Sequence, residues 1–427
     1  MRSKTQKTVF WIIMPVMTWL CVEAFSLIAY AVINHTAFSY PKARSKLEDQ
    51  LSSDSPELKV TGRTDLKWGD FVEVLHPYFG FVADPYQNKP MWKVSDFGFL
   101  MSGNVNPIVK KSPDKVIVGC FGGSLGGVIY PYLKEVLEQH STDIGKQFVV
   151  INFAAGGYKQ PQQLMILNYL LALGAEFDFV INLDGFNDIV LAPTENAPNH
   201  VNPFFPRGWD RRTANIISPA TVRLVGLVEV TKRSREKWAY TFRKHHLYLS
   251  PTLFLLWQSQ DQRRARTIYD ANQNIKTESA KSQTFTMKGP PYSYSDETLL
   301  YNDLAQVWKR CSVQMKTLCD ANGAHYYHFL QPNQYVPGSK PMTEEERKIA
   351  INKDSPYTKE VEKGYPLMIK QGAILPTLGV KFTDLTSIFA DNREILYIDD
   401  CCHTNSKGSV VIAQRIYQTI LPELNSR

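Results

Sequence analysis

The stretch that decides the fold reads Lys115-Val-Ile-Val-Gly-Cys-Phe-Gly-Gly-Ser-Leu-Gly-Gly-Val-Ile-Tyr130. Its first half is apolar and β-branched, which is typical of a buried strand, and it stops at a cluster of glycines. A helical pattern follows from Val128. A strand that enters a helix through a tight glycine turn lifts one side chain clear of the sheet and points backbone N–H groups at it. Ser124, inside the glycine cluster, is therefore a candidate nucleophile.

Strand and helix patterns alternate through this part of the chain and return near its end. Short apolar strands are predicted at residues 116–120, 148–152, 177–183, 325–330 and 380–383. Helices are predicted at residues 130–139, 161–173, 358–372 and 409–420. This alternation predicts a mainly parallel sheet with helices on both faces, which is a three-layer α/β/α fold. The catalytic and ligand-binding residues of such sheets lie at the carboxyl ends of the strands.

The N-terminal part of the chain carries a long apolar run. Residues 9–33 contain a single charge, Glu23, and the residues before them are basic. A run of about 25 residues is long enough to cross a bilayer, so we predict a transmembrane signal anchor over residues 8–33. The basic flank favours an N-terminus in the cytoplasm and a catalytic domain outside it, whether periplasmic, extracellular or lumenal. A cleaved signal peptide is the alternative, since Ala29-Tyr-Ala31 resembles a cleavage site.

The rest of the chain is predicted to form a stalk and one large domain. Residues 34–65 are polar and charged and predict a juxtamembrane stalk, whereas residues 66–427 predict the α/β domain. Residues 191–300 break the strand–helix rhythm with proline-rich loops and basic helical stretches, and so predict a helical insertion. Its basic residues are typical of solvated helix faces, or else of a surface for anionic lipid or an acidic glycan. The net charge of +7 is modest for 427 residues and does not favour nucleic-acid binding.

The six cysteines indicate neither a metal site nor a disulfide framework. No CxxC or Cys/His spacing is present, so we predict no metal and no cofactor. Cys311 and Cys319 fall on one helical pattern, about 12 Å apart along its axis, which is too far for a mutual disulfide. The adjacent pair Cys401 and Cys402 is unusual. The simplest expectation is that one packs inward and the other is a passive neighbour.

Four loci at predicted strand ends supply the parts that acyl transfer requires. A serine hydroxyl is a weak nucleophile until a base takes its proton, and His403, with Asp400 three residues earlier, can be that base and its orienting acid. The oxyanion needs preorganised donors, which the N–H of Ser124, the N–H of Gly157 and the side-chain amide of Asn187 can provide. The sequence therefore predicts a triad of Ser124, His403 and Asp400 beside an oxyanion hole.

These residues resemble the four sequence blocks of the SGNH, or GDSL-like, esterases and lipases, in their usual order. The blocks are Ser124 in Gly-Gly-Ser-Leu-Gly, Gly157 five residues after Asn152, Gly185-Phe-Asn187-Asp188, and Asp400-x-x-His403 with Gly408 five residues beyond. The resemblance covers about residues 114–190 and 322–420. It implies a flavodoxin-like SGNH hydrolase fold, with Ser124 as nucleophile and first oxyanion donor, Gly157 and Asn187 as further donors, His403 as base and Asp400 as acid. Gly123 departs from the family's Gly-Asp-Ser form.

Two other interpretations of the serine turn stay open. Gly122-x-Ser124-x-Gly126 also fits the nucleophile elbow of α/β-hydrolases, in which Asp188 would be the triad acid. Several strands usually precede the serine in that fold, whereas only one is predicted here. A glycine-rich turn is also typical of phosphate binding, but no Gly-x-Gly-x-x-Gly and no following lysine are present. Gln331-Pro-Asn333 follows another predicted strand, and we expect it to line the substrate site.

The sequence therefore predicts a membrane-anchored serine esterase that hydrolyses O-acyl esters. An O-acetylated surface glycan is the favoured substrate, because residues 66–112 are rich in aromatics and exposed aromatics stack on sugar rings. An O-acyltransferase acting on polysaccharide is an alternative, since the acyl-enzyme is common to both reactions. A lipid esterase and a non-catalytic glycan-binding scaffold are the others. No oligomeric state is predicted.

Overall fold

A computed structural model of the chain describes residues 4–51, 73–86, 93–101, 106–217, 219–281, 285–293, 296–352 and 354–425. The chain divides into two compact units. The first, called the helical unit here, combines Met1–Asp70 with Ala214–Ser282. The second, called the sheet unit, combines Phe71–Thr213 with Gln283–Arg427 and contains every residue of the predicted site.

The described residues form helices in both units. In chain order they are α1 (Lys4–Asn34), α2 (Tyr40–Leu51), α3 (Ser124–Gln139), α4 (Ser141–Ile144), α5 (Gln162–Ala172), α6 (Phe186–Leu191), α7 (Trp209–Ile217), α8 (Pro219–Lys244), α9 (Pro251–Lys281), α10 (Phe285–Lys288), α11 (Glu297–Ala321), α12 (Glu344–Ala350), α13 (Thr358–Gly372) and α14 (Ser406–Leu424). Short 3₁₀- or π-helical turns occupy Ala192–Asn196, Ala197–Asn199, Leu247–Leu249 and Leu375–Leu378.

The strands formed by the described residues lie in the sheet unit. They are β1 (Glu73–His76), β2 (Gly80–Ala83), β3 (Lys93–Val94), β4 (Leu100–Met101), β5 (Lys115–Gly122), β6 (Gln147–Asn152), β7 (Phe179–Asp184), β8 (His325–Leu330) and β9 (Lys381–Asp384). Five of them form a parallel sheet in the order β6-β5-β7-β8-β9. Counted along the chain, this is the 2-1-3-4-5 order of flavodoxin-like folds. The prediction of an α/β fold with a mainly parallel sheet is confirmed.

Strand β5, the second of the five, is apolar after Lys115 because helices cover both of its faces. Successive side chains of a strand point to opposite faces. Val116 and Val118 are buried in the cluster that contains the core residues of α3 and α14. Ile117 and Phe121 are buried in the cluster that contains those of α5, α11 and α13. The sheet is therefore the middle layer of three.

The aromatic lead-in to the sheet packs inward rather than outward. Residues 73–83 and 93–101 form two short antiparallel hairpins, β1 with β2 and β3 with β4. Phe79, Phe81 and Phe99 are buried in the same core as α5 and α11. Exposed aromatics here include Tyr86, which is 94 % accessible. Half of the described aromatics that we expected to stack on sugars are thus buried in the core.

Helix α11 was not predicted as a whole, although its cysteines were placed correctly. It carries Trp308 and Met315 into the core. Cys311 and Cys319 lie on this one helix, as the sequence predicts, and both are buried. All six cysteines belong to described segments, and none of them forms a disulfide.

The helical unit is built from α1, α2, α8 and α9. Helices α8 and α9 are antiparallel neighbours, and Arg235 of the first forms a bidentate ion pair with Asp261 of the second, at 2.7 and 2.8 Å. Helix α2 buries Ala43 and Leu47 in an apolar cluster that also contains Phe242 of α8 and Trp257 of α9. The first part of the predicted stalk is therefore helical, and residues 52–65 lie outside the described residues. One helix of the described chain, over residues 13–34, is long and apolar enough to cross a membrane.

Candidate active site

Ser124 is the first residue of α3, and Gly123 alone separates it from Gly122, the last residue of β5. Gly122 has a φ of +143°, and a side chain there would come within 2.0 Å of the Leu183 carbonyl oxygen. Only glycine fits this turn, because both the backbone angle and the space exclude a Cβ atom. The turn places Ser124 at a helix N-terminus, where backbone N–H groups have no partner within the helix. Its side chain thus lies at the carboxyl edge of the sheet, as predicted.

His403 lies between Ser124 and an aspartate. Its Nε2 is 2.8 Å from the Oγ of Ser124, and its Nδ1 is 2.5 Å from the Oδ2 of Asp399. A serine, a histidine and a carboxylate in this connection let the histidine take the serine proton while the carboxylate orients the ring. His403 is only 1 % exposed, so water competes little for either hydrogen bond.

The aspartate that faces His403 is Asp399, and the predicted Asp400 is therefore wrong by one position. The Oδ1 of Asp399 accepts the backbone N–H groups of residues 401–403 at 3.0 to 3.1 Å. The chain thus wraps around this carboxylate and returns His403 to its second oxygen. Asp400 points elsewhere, because its carboxylate accepts a hydrogen bond from the Nδ2 of Asn352 at 3.0 Å.

The segment after β8 supports this turn from behind. Its side chains donate to three successive carbonyl groups of the turn: Gln334 to Asp399 at 3.0 Å, Tyr335 to Asp400 at 3.0 Å and Asn333 to Cys401 at 2.9 Å. Asn333 is fully buried and Gln331 is 2 % exposed. Asn333 thus helps to position the turn that carries His403, and the expectation that Gln331-Pro-Asn333 lines the substrate site stays a prediction.

Asn187 links the serine turn to the loop that contains Gly157. It lies in α6, directly after β7, and its Nδ2 donates to the carbonyl of Tyr158 at 2.8 Å. A side chain at Gly123 would come within 2.4 Å of the same Nδ2. Gly123 therefore leaves the room that Asn187 occupies. The structure thus brings Ser124, Asn187 and the Gly157 loop to one edge of the sheet.

Sequence reasoning missed an arginine that covers the Gly157 loop. Gly157 has a φ of +80°, and a Cβ atom there would lie 2.5 Å from the Cδ of Arg207. Glu195 holds the guanidinium of Arg207 through two contacts, 2.8 Å from Nη2 and 3.1 Å from Nε. Both residues fall in the predicted insertion, where the sequence pattern gave no reason to connect them with Gly157.

The electrostatics of the acid–base pair favour an ionised Asp399. Burial alone would raise the pKa of Asp399, but the hydrogen bond and charge of His403 and the backbone N–H groups hold it below its usual value. Burial alone would lower the pKa of His403, but the Cys402 sulfur and the Asp399 carboxylate outweigh it and raise that pKa to about 9. Cys402 contributes only to the extent that its thiol is ionised.

Asp188, the acid of the alternative α/β-hydrolase interpretation, is used elsewhere. Its Oδ1 accepts the N–H of Gln160 at 2.6 Å and its Oδ2 accepts the N–H of Gly185 at 3.1 Å. Burial and the nearby Asp184 raise the pKa of Asp188 to about 8. The Nδ1 of His403 is bonded to Asp399 instead. Asp188 thus holds two strand-end loops together and has no contact with the base.

A second row of serine, histidine and aspartate lies inside the core. The Nδ1 of His328 is 2.7 Å from the Oγ of Ser312, and its Nε2 is 2.8 Å from the Oδ1 of Asp184. Trp308 also donates to Asp184, at 2.6 Å. The three members of the row are between 0 and 1 % exposed, so no substrate reaches Ser312. We read this row as structural.

A metal ion has no ready place at the site. Cys401, Cys402 and His403 bring their ligand atoms within 4.8 Å of one another. The two sulfur atoms are 3.5 Å apart and both cysteines are buried, so the expectation that only one packs inward is wrong. Both ring nitrogens of His403 are already hydrogen-bonded, to Asp399 and Ser124. Metal binding would therefore require His403 to lose its hydrogen bond to Asp399 or to Ser124.

Comparisons with known proteins leave the geometry as the basis for a functional argument. No protein-family model matches the sequence, and a search of curated proteins found no match. A crystal structure of a lipase from a goat rumen metagenome matches over 71 % of this chain and 97 % of its own, with 12 % sequence identity and a TM-score of 0.29. A similarity at that level carries no argument about residue roles or activity in this chain.

Proposed function

We propose that this protein is a serine ester hydrolase of the SGNH type, which cleaves O-acyl esters through an acyl-enzyme. The observation that carries the proposal is the hydrogen-bonded row of Ser124, His403 and Asp399, with separations of 2.8 and 2.5 Å. Rows with this connection support acyl transfer on several unrelated folds. The serine stands at the carboxyl edge of a parallel sheet, where such folds place their working residues.

In the first half of the reaction, Ser124 becomes acylated. The Nε2 of His403 takes the hydroxyl proton as the Oγ attacks the ester carbonyl carbon, and the carbonyl oxygen becomes an oxyanion. Asp399 accepts from the Nδ1–H and stabilises the imidazolium. His403 then gives the proton to the alcohol oxygen as the ester C–O bond breaks, and the acyl group stays on Ser124.

In the second half, water replaces the alcohol. His403 takes a proton from water, which attacks the acyl carbon, and then returns it to the Oγ of Ser124 as the acid leaves. The oxyanion of both steps is bound by the N–H groups of Ser124 and Gly157 and by the amide of Asn187. That amide has two N–H groups, and the bond to Tyr158 fixes its orientation. The reaction needs no metal or cofactor.

The SGNH assignment is supported by the order of the four blocks and by the strand order of the sheet. Ser124, Gly157, Asn187 and His403 follow one another along the chain as in that family. The sheet order 2-1-3-4-5 agrees with the flavodoxin-like fold that the resemblance implies. The site departs from the family's Asp-x-x-His block at the acid, because Asp399 precedes His403 by four residues and not by three.

The substrate that we propose is an O-acetylated glycan outside the cytoplasm, reached by an enzyme that α1 anchors in the membrane. The length and composition of α1 support the anchor. The exposed Tyr78 and Tyr86 are what supports sugar contact, since the other described aromatics of the lead-in are mainly buried. A lipid ester or transfer of the acyl group to a sugar hydroxyl would use the same acyl-enzyme.

The test compares turnover of p-nitrophenyl acetate by the full-length protein and by Ser124→Ala. We expect the substitution to lower kcat on the order of 10⁴-fold or more, because it removes the nucleophile. Unchanged folding is checked by circular dichroism. An equal rate for both proteins would contradict the proposal.

The substrate class is tested separately. Acetate release from acetylated oligosaccharides, fatty-acid release from phospholipids, and acetyl transfer to an added unacetylated oligosaccharide are measured with the same enzyme. We expect acetate release to be the fastest of the three. Faster fatty-acid release or net transfer would replace the substrate assignment without changing the role of Ser124.

A further inference from the structure

The charged residue of α1 has a partner inside the helical unit. Glu23 is the single charge in the apolar run, and a carboxylate at bilayer depth costs several kcal/mol unless it is paired. Its Oε1 accepts from the hydroxyl of Ser250, and its Oε2 accepts the N–H of Thr252 at 3.1 Å. Both donors belong to the start of α9, whose N-terminus carries partial positive charge. The end of the α8–α9 hairpin therefore supplies what Glu23 needs.

The same side of α1 makes further polar contacts along α9. The Oγ of Ser26 lies 2.8 Å from the Oγ1 of Thr252, and the Oδ1 of Asn34 accepts from the Nε2 of Gln258 at 2.6 Å. Between them, Tyr30 is buried and its ring lies 6.1 Å from that of Phe254. Residues 23, 26, 30 and 34 are spaced by three or four, so they share one helix face. We call Glu23, Ser26, Tyr30 and Asn34 the polar stripe.

The opposite face of α1 is apolar and exposed. Phe25, Ile28 and Val32 are 73, 62 and 68 % accessible. Polar side chains of membrane helices normally turn toward a protein partner and apolar ones toward lipid. The polar stripe thus marks α9 as that partner, and the first two turns of α9 must lie at the same depth as residues 23–34 of α1.

That depth follows from the apolar run. It begins at Val9, and about 20 helical residues cover the ~30 Å of hydrocarbon, which brings the outer boundary near Ile28. Glu23 then lies about 8 Å inside the boundary. Helices that lie in the interface bury their apolar faces by roughly 5–10 Å, which is the same range.

The chemistry of the hairpin end fits this position. Leu249 and Leu256 are 51 and 58 % exposed, although both are large and apolar. Arg243 and Lys244 are exposed directly before them, where long basic side chains can reach lipid phosphates while their stems stay among acyl chains. Large exposed apolar residues near basic ones are typical of a membrane-contacting surface.

We infer that the hairpin tip, residues 245–256, is seated in the membrane–water interface beside α1 and is docked on the polar stripe. The leucines contact acyl chains, and Arg243 and Lys244 contact headgroup phosphates. The N-terminal helix is accordingly retained as a structural member, because cleavage near Ala31 would remove most of the stripe. The inference rests on the proposed membrane crossing by α1 and is independent of esterase activity.

The position of the tip is tested on full-length protein in phosphatidylcholine and phosphatidylglycerol liposomes. The parent variant is Cys21→Ser, since the other five cysteines are buried. A fluorophore at Leu249→Cys is compared with one at Asp270→Cys, an exposed position farther along α9. We expect spin-labelled lipids with a shallow label to quench the first, and aqueous iodide to quench the second. Iodide quenching of both, without lipid quenching, would overturn the inference.

The docking is tested by cross-linking in the same parent. The pair Ser26→Cys and Thr252→Cys should form a disulfide under mild oxidation, because their side-chain oxygens are 2.8 Å apart. The matched pair Phe25→Cys and Thr252→Cys should not, since Phe25 is on the opposite face. Equal yields from both pairs, or a mature chain that begins after Ala31, would overturn the inference. Alkaline extraction reports the anchor and ester turnover reports the active site, so each failure is distinguishable.

Discussion

Asp399 and Asp400 are adjacent carboxylates that the turn sends to different partners. Asp399 orients His403 and would stabilise its imidazolium, whereas Asp400 bonds to Asn352 on the surface. We therefore expect Asp399→Asn to lower kcat by about 10³- to 10⁴-fold, since the amide favours the wrong ring tautomer. Asp400→Asn is the matched control and should stay within about threefold, because it keeps the hydrogen bond acceptor toward Asn352. Steady-state kinetics with p-nitrophenyl acetate measure both, and the reverse ranking would contradict the assignment of the acid.

The raised pKa of His403 predicts an alkaline pH profile. The base works only when its ring is neutral, so kcat/KM should rise with pH through an apparent pKa near 9 rather than near 6.5. The Cys402 sulfur and the Asp399 carboxylate both raise this pKa. Cys402→Ala removes the first of them and should move the rising limb of the pH profile to lower pH. The measurement is kcat/KM between pH 5 and 10 for both proteins. A wild-type limb near 6.5 would show that the sulfur and the carboxylate do not act on the ring as described.

Gly123 and Gly156 allow a matched test of the oxyanion donor. A Cβ atom at position 123 would lie 2.4 Å from the Nδ2 of Asn187, so Gly123→Ala must displace that amide. Loss of one oxyanion donor costs on the order of 10²-fold in kcat. Gly156 has open space around its Cβ position, and Gly156→Ala should change kcat little. A similar rate for the two variants, measured with p-nitrophenyl acetate, would remove Asn187 from the oxyanion hole.

At the scale of elements, the buried row between α11, β8 and β7 resembles a triad but holds the fold together. Ser312→Ala leaves the Nδ1 of His328 without its 2.7 Å partner in a fully buried place. We expect a loss of about 1–3 kcal/mol in the free energy of unfolding and an unchanged kcat. Urea denaturation and ester turnover measure the two quantities. A large fall in kcat with normal stability would mean that Ser312, not only Ser124, takes part in the chemistry.

The alternation of strands and helices could be predicted because the buried strands carry apolar residues on both faces, as β5 does. The position of Ser124 followed from the same pattern, since strand ends meet at one edge of a parallel sheet. His403 was found through the resemblance of its sequence block. The acid was missed because spacing does not tell which of two adjacent carboxylates the turn folds inward. That choice depends on N–H groups of residues 401–403, which bond to Asp399.

At the scale of the whole molecule, the division of the chain into two units could not be predicted from the sequence pattern. The helical unit joins Glu23 to Ser250, which are 227 residues apart, and local periodicity carries no information about such pairs. Glu23 nevertheless indicated such a contact, because a carboxylate in an apolar helix is costly unless it is paired with another group. The sheet unit likewise joins Ser124 to His403 across 279 residues. In both units, a polar residue that one segment leaves unsatisfied points to the distant segment that completes it.

The central claim is that Ser124 is the activated nucleophile of this chain, and residue-level mapping of covalent labelling tests it most directly. Full-length protein is treated with a fluorophosphonate and the modified peptide is identified by mass spectrometry. We predict a single adduct on Ser124 that is absent from Ser124→Ala, slowed in Asp399→Asn and retained in Ser312→Ala. A folded protein that gives no adduct, or an adduct on another serine that persists in Ser124→Ala, would contradict the account.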